Sequence, residues 1–335
     1  MAPKSFTRVL LKFKDISPRA FEHPTDRAAL AGLRKIKGFD LVLKKIVGAF
    51  GERRMNLMFL SSAVRVGPNQ RPDLHNLLKD VCKVLDLETI PELYITQSPQ
   101  VNAAAYGIDQ PFIVLNTGLV NMMTKEELRT VIGHEVGHIL SGHVLYKTMN
   151  VILINLGFRL FAFLPLGIAV LPIMLALKEW DRKSELSADR AGLLVSQDPE
   201  TSLKTIMKIA GGSGKEEYNL DEFEKQAEEY HREGNIVDHF YKIMNLLWMT
   251  HPFPVLRIVE LRKWADSEEY QKILNLDYPR RTDEDAKASN EWKEAMSSYK
   301  KEFSEAKDNL SSLFKDVAEA GEGTISEIFS MFKKK

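Results

Sequence analysis

The spacing of apolar positions along this 335-residue chain changes several times, and each change predicts an element. From Thr25 to about Arg65 apolar residues recur at helical spacing, with breaks near Gly38 and between Gly48 and Gly51. A second helix is predicted from Pro68 to Leu87, where Leu74, Leu77, Leu78, Val81 and Val84 fall three and four residues apart. Short strands follow: Leu93 to Thr96 after Pro91, Val101 to Tyr106, and Phe112 to Leu115 beyond the turn residues Gly107 to Pro111. Thr124-Lys125-Glu126-Glu127 is a capping box, in which the Thr124 hydroxyl and the Glu127 carboxylate satisfy amides of a first helical turn. The helix it opens is predicted to run through His134 to His143.

Between Val144 and Leu177 the pattern becomes apolar. Lys147, Asn155 and Arg159 interrupt its first part, whereas Leu160 to Leu177 carries no charge and contains Pro165 and Pro172. After Lys178 the chain is polar and helical again. A turn at Gly211-Gly212-Ser213-Gly214 precedes an acidic helix from Asp221 to Glu233, and from Asp266 onward the chain is densely charged. This pattern predicts an α+β fold, mainly α, with a small antiparallel sheet and an embedded apolar helical hairpin. The expected divisions are an N-terminal helical region (1–67), a central domain (68–265) holding the apolar hairpin (144–177), and a charged helical C-terminal extension (266–335).

Charge and cysteine content narrow the chemistry. Lys plus Arg is 46 and Asp plus Glu is 46, so the chain lacks the basic surplus of a protein that binds by neutralising phosphates, and no nucleic-acid partner is expected. Cys82 is the only cysteine, which excludes a disulfide framework and a zinc site built on several thiolates. Any metal must be held by His, Glu and Asp. Met1 to Asp15 has neither the apolar run nor the small-residue cleavage site of a secretory signal peptide. The expected location is therefore the cytoplasmic side.

His134-Glu135-Val136-Gly137-His138 lies inside the capped helix. At about 100° per residue, His134 and His138 share one face a single turn apart, so both imidazoles can reach one ion. Glu135 is offset by one residue, beside the ion's open position, where a general base for a water molecule belongs. A catalytic zinc needs a third protein ligand. A third histidine at the spacing of the longer His-based motif would fall at Val144, which excludes that arrangement. His143 is five residues beyond His138, about 140° around a continuing helix, and is expected to face away from the ion as a satisfied polar residue. Carboxylate candidates follow the apolar segment. Glu185 and Asp189 lie at i and i+4 with Ala188 beside them, a small residue that lets two helices approach, and Glu179 and Asp181 are rivals. In that arrangement Glu185 binds the metal and Asp189 accepts the N–H of a ligating imidazole.

His134–His138 followed by Arg182-x-x-Glu185-x-x-Ala188-Asp189 resembles the gluzincin-type zinc metallopeptidases that include the heat-shock protease HtpX and the CAAX prenyl endopeptidases. Two further pieces are similar to that family: Asn102-Ala103-Ala104-Ala105-Tyr106-Gly107, like its edge strand, and Thr250-His251-Pro252-Phe253-Pro254 with Arg257-Ile258, like its His-Pro-Pro segment ending in Arg-Ile. Phe253 stands where the second proline is usual. The resemblance covers roughly Pro68 to Trp264 in the correct order. It implies a zincin-like core, one Zn²⁺ per chain, Glu185 as third ligand, and protein or peptide substrates. It also implies that Asn102 orients the substrate backbone and that His251 stabilises the developing oxyanion, a contribution on the order of 10²–10³ in rate for such a donor. Without the family, Asn102 reads as a strand-end residue and His251 as a helix-start residue.

The same resemblance bears on the apolar segment. His138 and Glu185 must reach one ion, so the chain between them returns to the side it left, and a single membrane span is excluded if the site is right. Two spans need about 40 apolar residues, more than Val144 to Leu177 supplies, so a short hairpin turning near Pro165-Leu166-Gly167 is expected. Either it packs on the domain's own core or it inserts shallowly into a membrane interface. The resemblance favours membrane contact, because several relatives carry spans between these motifs. The C-terminal helices are expected to be solvated, with self-association as their sharper reading. A catalytically inactive, chaperone-like, membrane-docked scaffold with a structural zinc is the rival to a peptidase, and Glu135, which a scaffold does not need, separates the two.

Overall fold

The helix and strand signals in the chain are used close to where they stand. The computed structural model describes residues 9–34, 39, 52–107, 110–160, 164–212, 218–232 and 254–283. In chain order it contains α1 (Pro24–Leu33), α2 (Glu52–Ser62), β1 (Val64–Arg65), α3 (Pro72–Val84), β2 (Glu92–Thr96), β3 (Ala103–Tyr106) and β4 (Phe112–Asn116). There follow α4 (Thr117–Met122), α5 (Lys125–Leu140), α6 (Val144–Leu160), α7 (Leu164–Ser196), α8 (Pro199–Gly211), α9 (Leu220–Arg232), α10 (Pro254–Ala265) and α11 (Glu268–Leu274). The chain divides into two units, Met1–Ala286 and Lys287–Lys335, and every described residue belongs to the first. Most of the charged extension, and the self-association assigned to it, therefore lies outside the described residues.

The fold is mainly helical with one small sheet, as the pattern predicts, but the sheet is mixed where an antiparallel one was expected. Its strand order is β1-β2-β4-β3, with β2 and β4 parallel and the other two pairings antiparallel. Residue composition explains the order. Phe112, Ile113, Val114 and Leu115 of β4 are all buried, which suits a central strand covered on both faces. The small Ala103–Ala105 run of β3 takes the edge. Once β3 passes to that edge and turns back, β4 must run in the direction of β2.

Helix α5 begins on its capping box. The Glu127 amide donates to Thr124 Oγ1 at 3.3 Å, and the Thr124 amide donates to Glu127 Oε2 at 2.7 Å. A cap of this kind contributes about 1 kcal/mol. The helix stops at Leu140, and Gly142 adopts the left-handed conformation (φ 67°) that closes many helix ends. The break comes before His143, which belongs to the turn into α6.

Two helices, α6 and α7, stand where the hairpin between His138 and Glu185 was expected, but Pro165-Leu166-Gly167, the expected turn, lies within α7. Helix α7 then continues without a break from the apolar stretch into the polar one that carries Glu185 and Asp189. Among the described residues no helix is long and apolar enough to cross a membrane. Helix α7 lies along α5 through small residues on both. A Cβ added at Gly137 would sit 2.4 Å from the Ala191 Cβ, and one at Gly192 would sit 2.9 Å from the Thr130 carbonyl oxygen. The main core draws on almost the whole described length, from Phe13 and Ile16 through Leu78, Leu115, Val136 and Leu194 to Trp264 and Tyr278. The N-terminal segment is joined to the last described one by the Ser17 amide donating to the Pro279 carbonyl at 3.0 Å.

The close approach of α5 and α7 has a direct test. Gly137→Ala places a methyl group where Ala191 already stands and is expected to destabilise the protein by about 1–3 kcal/mol, read from denaturant unfolding. Gly142→Ala changes no packing contact and serves to separate backbone strain from overpacking.

Candidate metal centre

Helix α5 presents His134 and His138 one turn apart, and α7 brings Glu185 against both. His134 Nε2 lies 3.4 Å from Glu185 Oε2, and His138 Nε2 lies 3.2 Å from Glu185 Oε1. One ligand atom from each of the three residues can be chosen so that all lie within 4.8 Å of one another. The two rings are nearly perpendicular (86°) with centroids 4.8 Å apart. All three residues are buried, Glu185 with 0% exposure. Two imidazole nitrogens and a carboxylate converging from two helices are a donor set that fits zinc with a further position left open. Asp181 and Glu179 are not in the cluster: Asp181 accepts from Lys147 and Asn150, and Glu179 pairs with Arg182 and Lys183.

A second layer surrounds the three. His134 Nδ1 is 3.0 Å from Asp189 Oδ1, the arrangement the i,i+4 spacing of Glu185 and Asp189 suggests. Asp189 is gripped by Arg257, which donates through Nε at 2.8 Å and through a terminal nitrogen at 2.5 Å. Lys147 Nζ donates to Glu185 Oε1 at 2.6 Å and to Asp181 Oδ1 at 2.9 Å. His143 is outside the ligand set and hydrogen-bonded, as expected, but it adjoins His138. Their Nδ1 atoms are 3.0 Å apart, because the helix has already ended and the continuing 100° step no longer applies.

The electrostatics follow from burial opposed by neighbours. Burial pushes the His134 pKa down, but the charges and hydrogen bonds of Glu185 and Asp189 outweigh it and hold it up at about 9. At His138 burial and the Lys147 charge act together and push the pKa well below its usual value. Burial raises the Asp189 carboxyl, yet Arg257 and His134 outweigh it and hold it low. Burial also opposes the charges of Lys147 and Arg257, and their carboxylate partners reverse that, so both pKa values are raised.

Beside His134 the structure has a cavity of about 50 Å³ lined by Asn102, Glu135, Glu185 and Asp189 on its polar side and by apolar residues including Val101 and Ile206. Asn102, just ahead of β3, thus shares this cavity with the His-Glu cluster. Glu135, 3% exposed, follows His134 on α5. His251 lies outside the described residues. Lys147 was visible in the sequence only as a charge in an apolar stretch. Arg257 was named there without a role, although a buried arginine beside two carboxylates is what its motif position supplies.

Comparison with known proteins agrees with this geometry. Residues 68–265 match the model of Peptidase family M48. The chain is 36% identical over 269 residues to the plastoglobule-localized metallopeptidase 48, chloroplastic, of Arabidopsis thaliana, spanning 79% of this chain and 77% of that protein. It is 24% identical over 213 residues to a protease HtpX homolog of Streptococcus uberis, spanning 51% of this chain and 71% of that one. A protease HtpX homolog of Caldanaerobacter subterraneus is 36% identical over a shorter stretch of 96 residues, 28% of this chain and 32% of that protein.

Removing the Glu185 carboxylate tests the donor set. Glu185→Gln is expected to weaken zinc binding beyond the roughly 10- to 100-fold loss typical when an outer-shell partner is changed. Competition with a chromophoric chelator measures this, and an unchanged affinity excludes Glu185 as a ligand.

Proposed function

Because the chain belongs to peptidase family M48 and is a zinc metalloprotease, we propose that it cleaves peptide bonds at the His134–His138–Glu185 centre, with one zinc ion per chain and Glu135 as general base. The observation that carries this reading is the convergence of the three ligand atoms within 4.8 Å, with Glu135 on the same helix turn and lining the same cavity. A bound zinc supplies Lewis-acid polarisation and makes a water molecule acidic enough to lose its proton near neutral pH. Glu135 accepts that proton and later delivers it to the leaving amine. Asp189 and Arg257 keep His134 oriented, and Lys147 holds Glu185 in place while offsetting its charge.

Substrate binding is assigned to the sheet. Strand β3 pairs only with β4 among the described strands, so its other side is an edge along which an extended peptide can add as a further strand. Asn102 at the start of this edge hydrogen-bonds the substrate backbone, and His251 donates to the oxygen that becomes negative as the carbonyl is attacked. A His-bearing helix beside such an edge supports a zincin-like core. Lipid contact is assigned to the hairpin of α6 and α7, whose stretch from Leu160 to Leu177 carries no charge, and the plastoglobule localisation in the name of the Arabidopsis relative supports that placement.

Glu135→Gln is expected to retain zinc and lose peptide cleavage by several orders of magnitude, measured by mass-spectrometric profiling of a peptide library against the wild type. Cleavage at the wild-type rate removes Glu135 from the mechanism, whereas zinc binding with no cleavage by the wild type leaves the zinc-scaffold reading in its place. For the hairpin, cell fractionation into soluble, salt-washed and detergent-extracted pools is expected to place the protein in one of the last two. Full recovery in the soluble pool ends the membrane assignment.

A further inference from the structure

We infer that Asp26, on α1 and outside the region that matches the family, is a positioning residue of the metal centre, acting through His143 to fix which nitrogen of His138 is free for the metal. The inference rests on the zinc centre proposed above. Its basis is a buried line of polar contacts in which each proton position follows from the one before.

Asp26, His143 and His138 are each about 1% exposed. Asp26 Oδ1 accepts from the Trp180 indole N–H at 2.9 Å, and Oδ2 accepts from the Ser187 hydroxyl at 2.5 Å. His143 Nε2 stands 3.0 Å from the same Oδ2. Burial alone pushes the Asp26 carboxyl up, but His143, Ser187 and Trp180 outweigh it and hold the group below its ordinary value. An ionised carboxylate only accepts hydrogen bonds, so His143 carries its proton on Nε2. A zinc ion held at His138 Nε2 would leave the proton of that ring on Nδ1, which then needs an acceptor. The atom facing it at 3.0 Å is His143 Nδ1, which accepts when the His143 proton sits on Nε2 beside Asp26. His138 therefore holds its proton on Nδ1 and keeps the Nε2 lone pair toward Glu185 and His134.

Each ligand imidazole thus has its own carboxylate: Asp189 directly for His134, and Asp26 through His143 for His138. Such partners set the tautomer and orientation of a ligating histidine, and changing one costs typically about 10- to 100-fold in metal affinity. The placement of Asp26 is itself secured, since the His23 amide donates to Ser187 Oγ at 2.9 Å and ties the start of α1 to α7.

Asp26→Asn tests this without changing the shape of the side chain. The Trp180 N–H can only donate, so it keeps the amide oxygen on its side and turns the amide N–H₂ toward His143. Donation into Nε2 moves the His143 proton to Nδ1 and forces the His138 proton onto Nε2, the ligand atom. Zinc affinity measured by chelator competition is expected to fall at least about tenfold. Spectra of the metal-free proteins labelled with ¹⁵N-histidine are expected to show His143 as the Nε2–H tautomer in the wild type and Nδ1–H in the variant, with His143 assigned by its loss in His143→Ala. A merely structural Asp26 would lower thermal stability and leave the tautomer unchanged. Equal zinc affinity in the folded variant overturns the inference, and so does a wild-type His143 protonated at Nδ1, which is readable even if Asp26→Asn does not fold. A wild type that binds no zinc overturns the metal centre itself, and this inference with it.

Discussion

Glu185 is a carboxylate with no solvent exposure, placed between two helices and facing two imidazoles. An unpaired charge in that position would cost several kcal/mol, and much of the surrounding structure consists of what compensates it. Lys147 reaches it from α6, Arg257 stands 3.6 Å away on α10, and the histidine pair approaches from α5. Each comes from a different element, so the site ties those helices to α7. The same compensation explains why Asp181 and Asn150 are buried nearby: Asp181 accepts from Lys147 on its other side, and Asn150 donates to Asp181.

Bringing the carboxylate to the imidazoles requires the two helices to lie closer than ordinary side chains permit. Gly133, Gly137, Ala188, Ala191 and Gly192 provide that proximity, and it places both ligand layers at hydrogen-bonding distance. Close approach also fixes geometry. With little room between α5 and α7, His134 and His138 are held where their Nδ1 atoms meet Asp189 and His143. The sheet contributes a different property. Its strand β4 is buried, while its alanine-rich neighbour β3 contributes Ala103 to the lining of the cavity beside His134.

Local signals along the chain carried much of this. The capping box at Thr124 located α5, the spacing of His134 and His138 located the metal face, and the strands near Leu93, Ala103 and Phe112 were visible from their β-rich runs and turn residues. Glu185 and Asp189 were legible as an i,i+4 pair, though Asp181 and Glu179 stood as equals until their partners Lys147 and Arg182 were known. His143 is a satisfied polar residue outside the ligand set, as expected, but its contact with His138 was not visible because the helix ends at Leu140, before a left-handed glycine. The parallel pairing of β2 and β4 was also missed, since strand order depends on which strand takes the edge.

The sequence by itself determined the elements, the chemistry available to them and the nearest-neighbour geometry within one helix, because those depend on spacing over a few residues. Only the tertiary structure decided which charges compensate Glu185, that Asp189 meets His134, and that Asp26 of α1 meets His143. Asp26 and Trp180 stand 154 positions apart, and no periodicity links residues at that separation. Their meeting is set by the packing of α1 on α7, a property of the whole core.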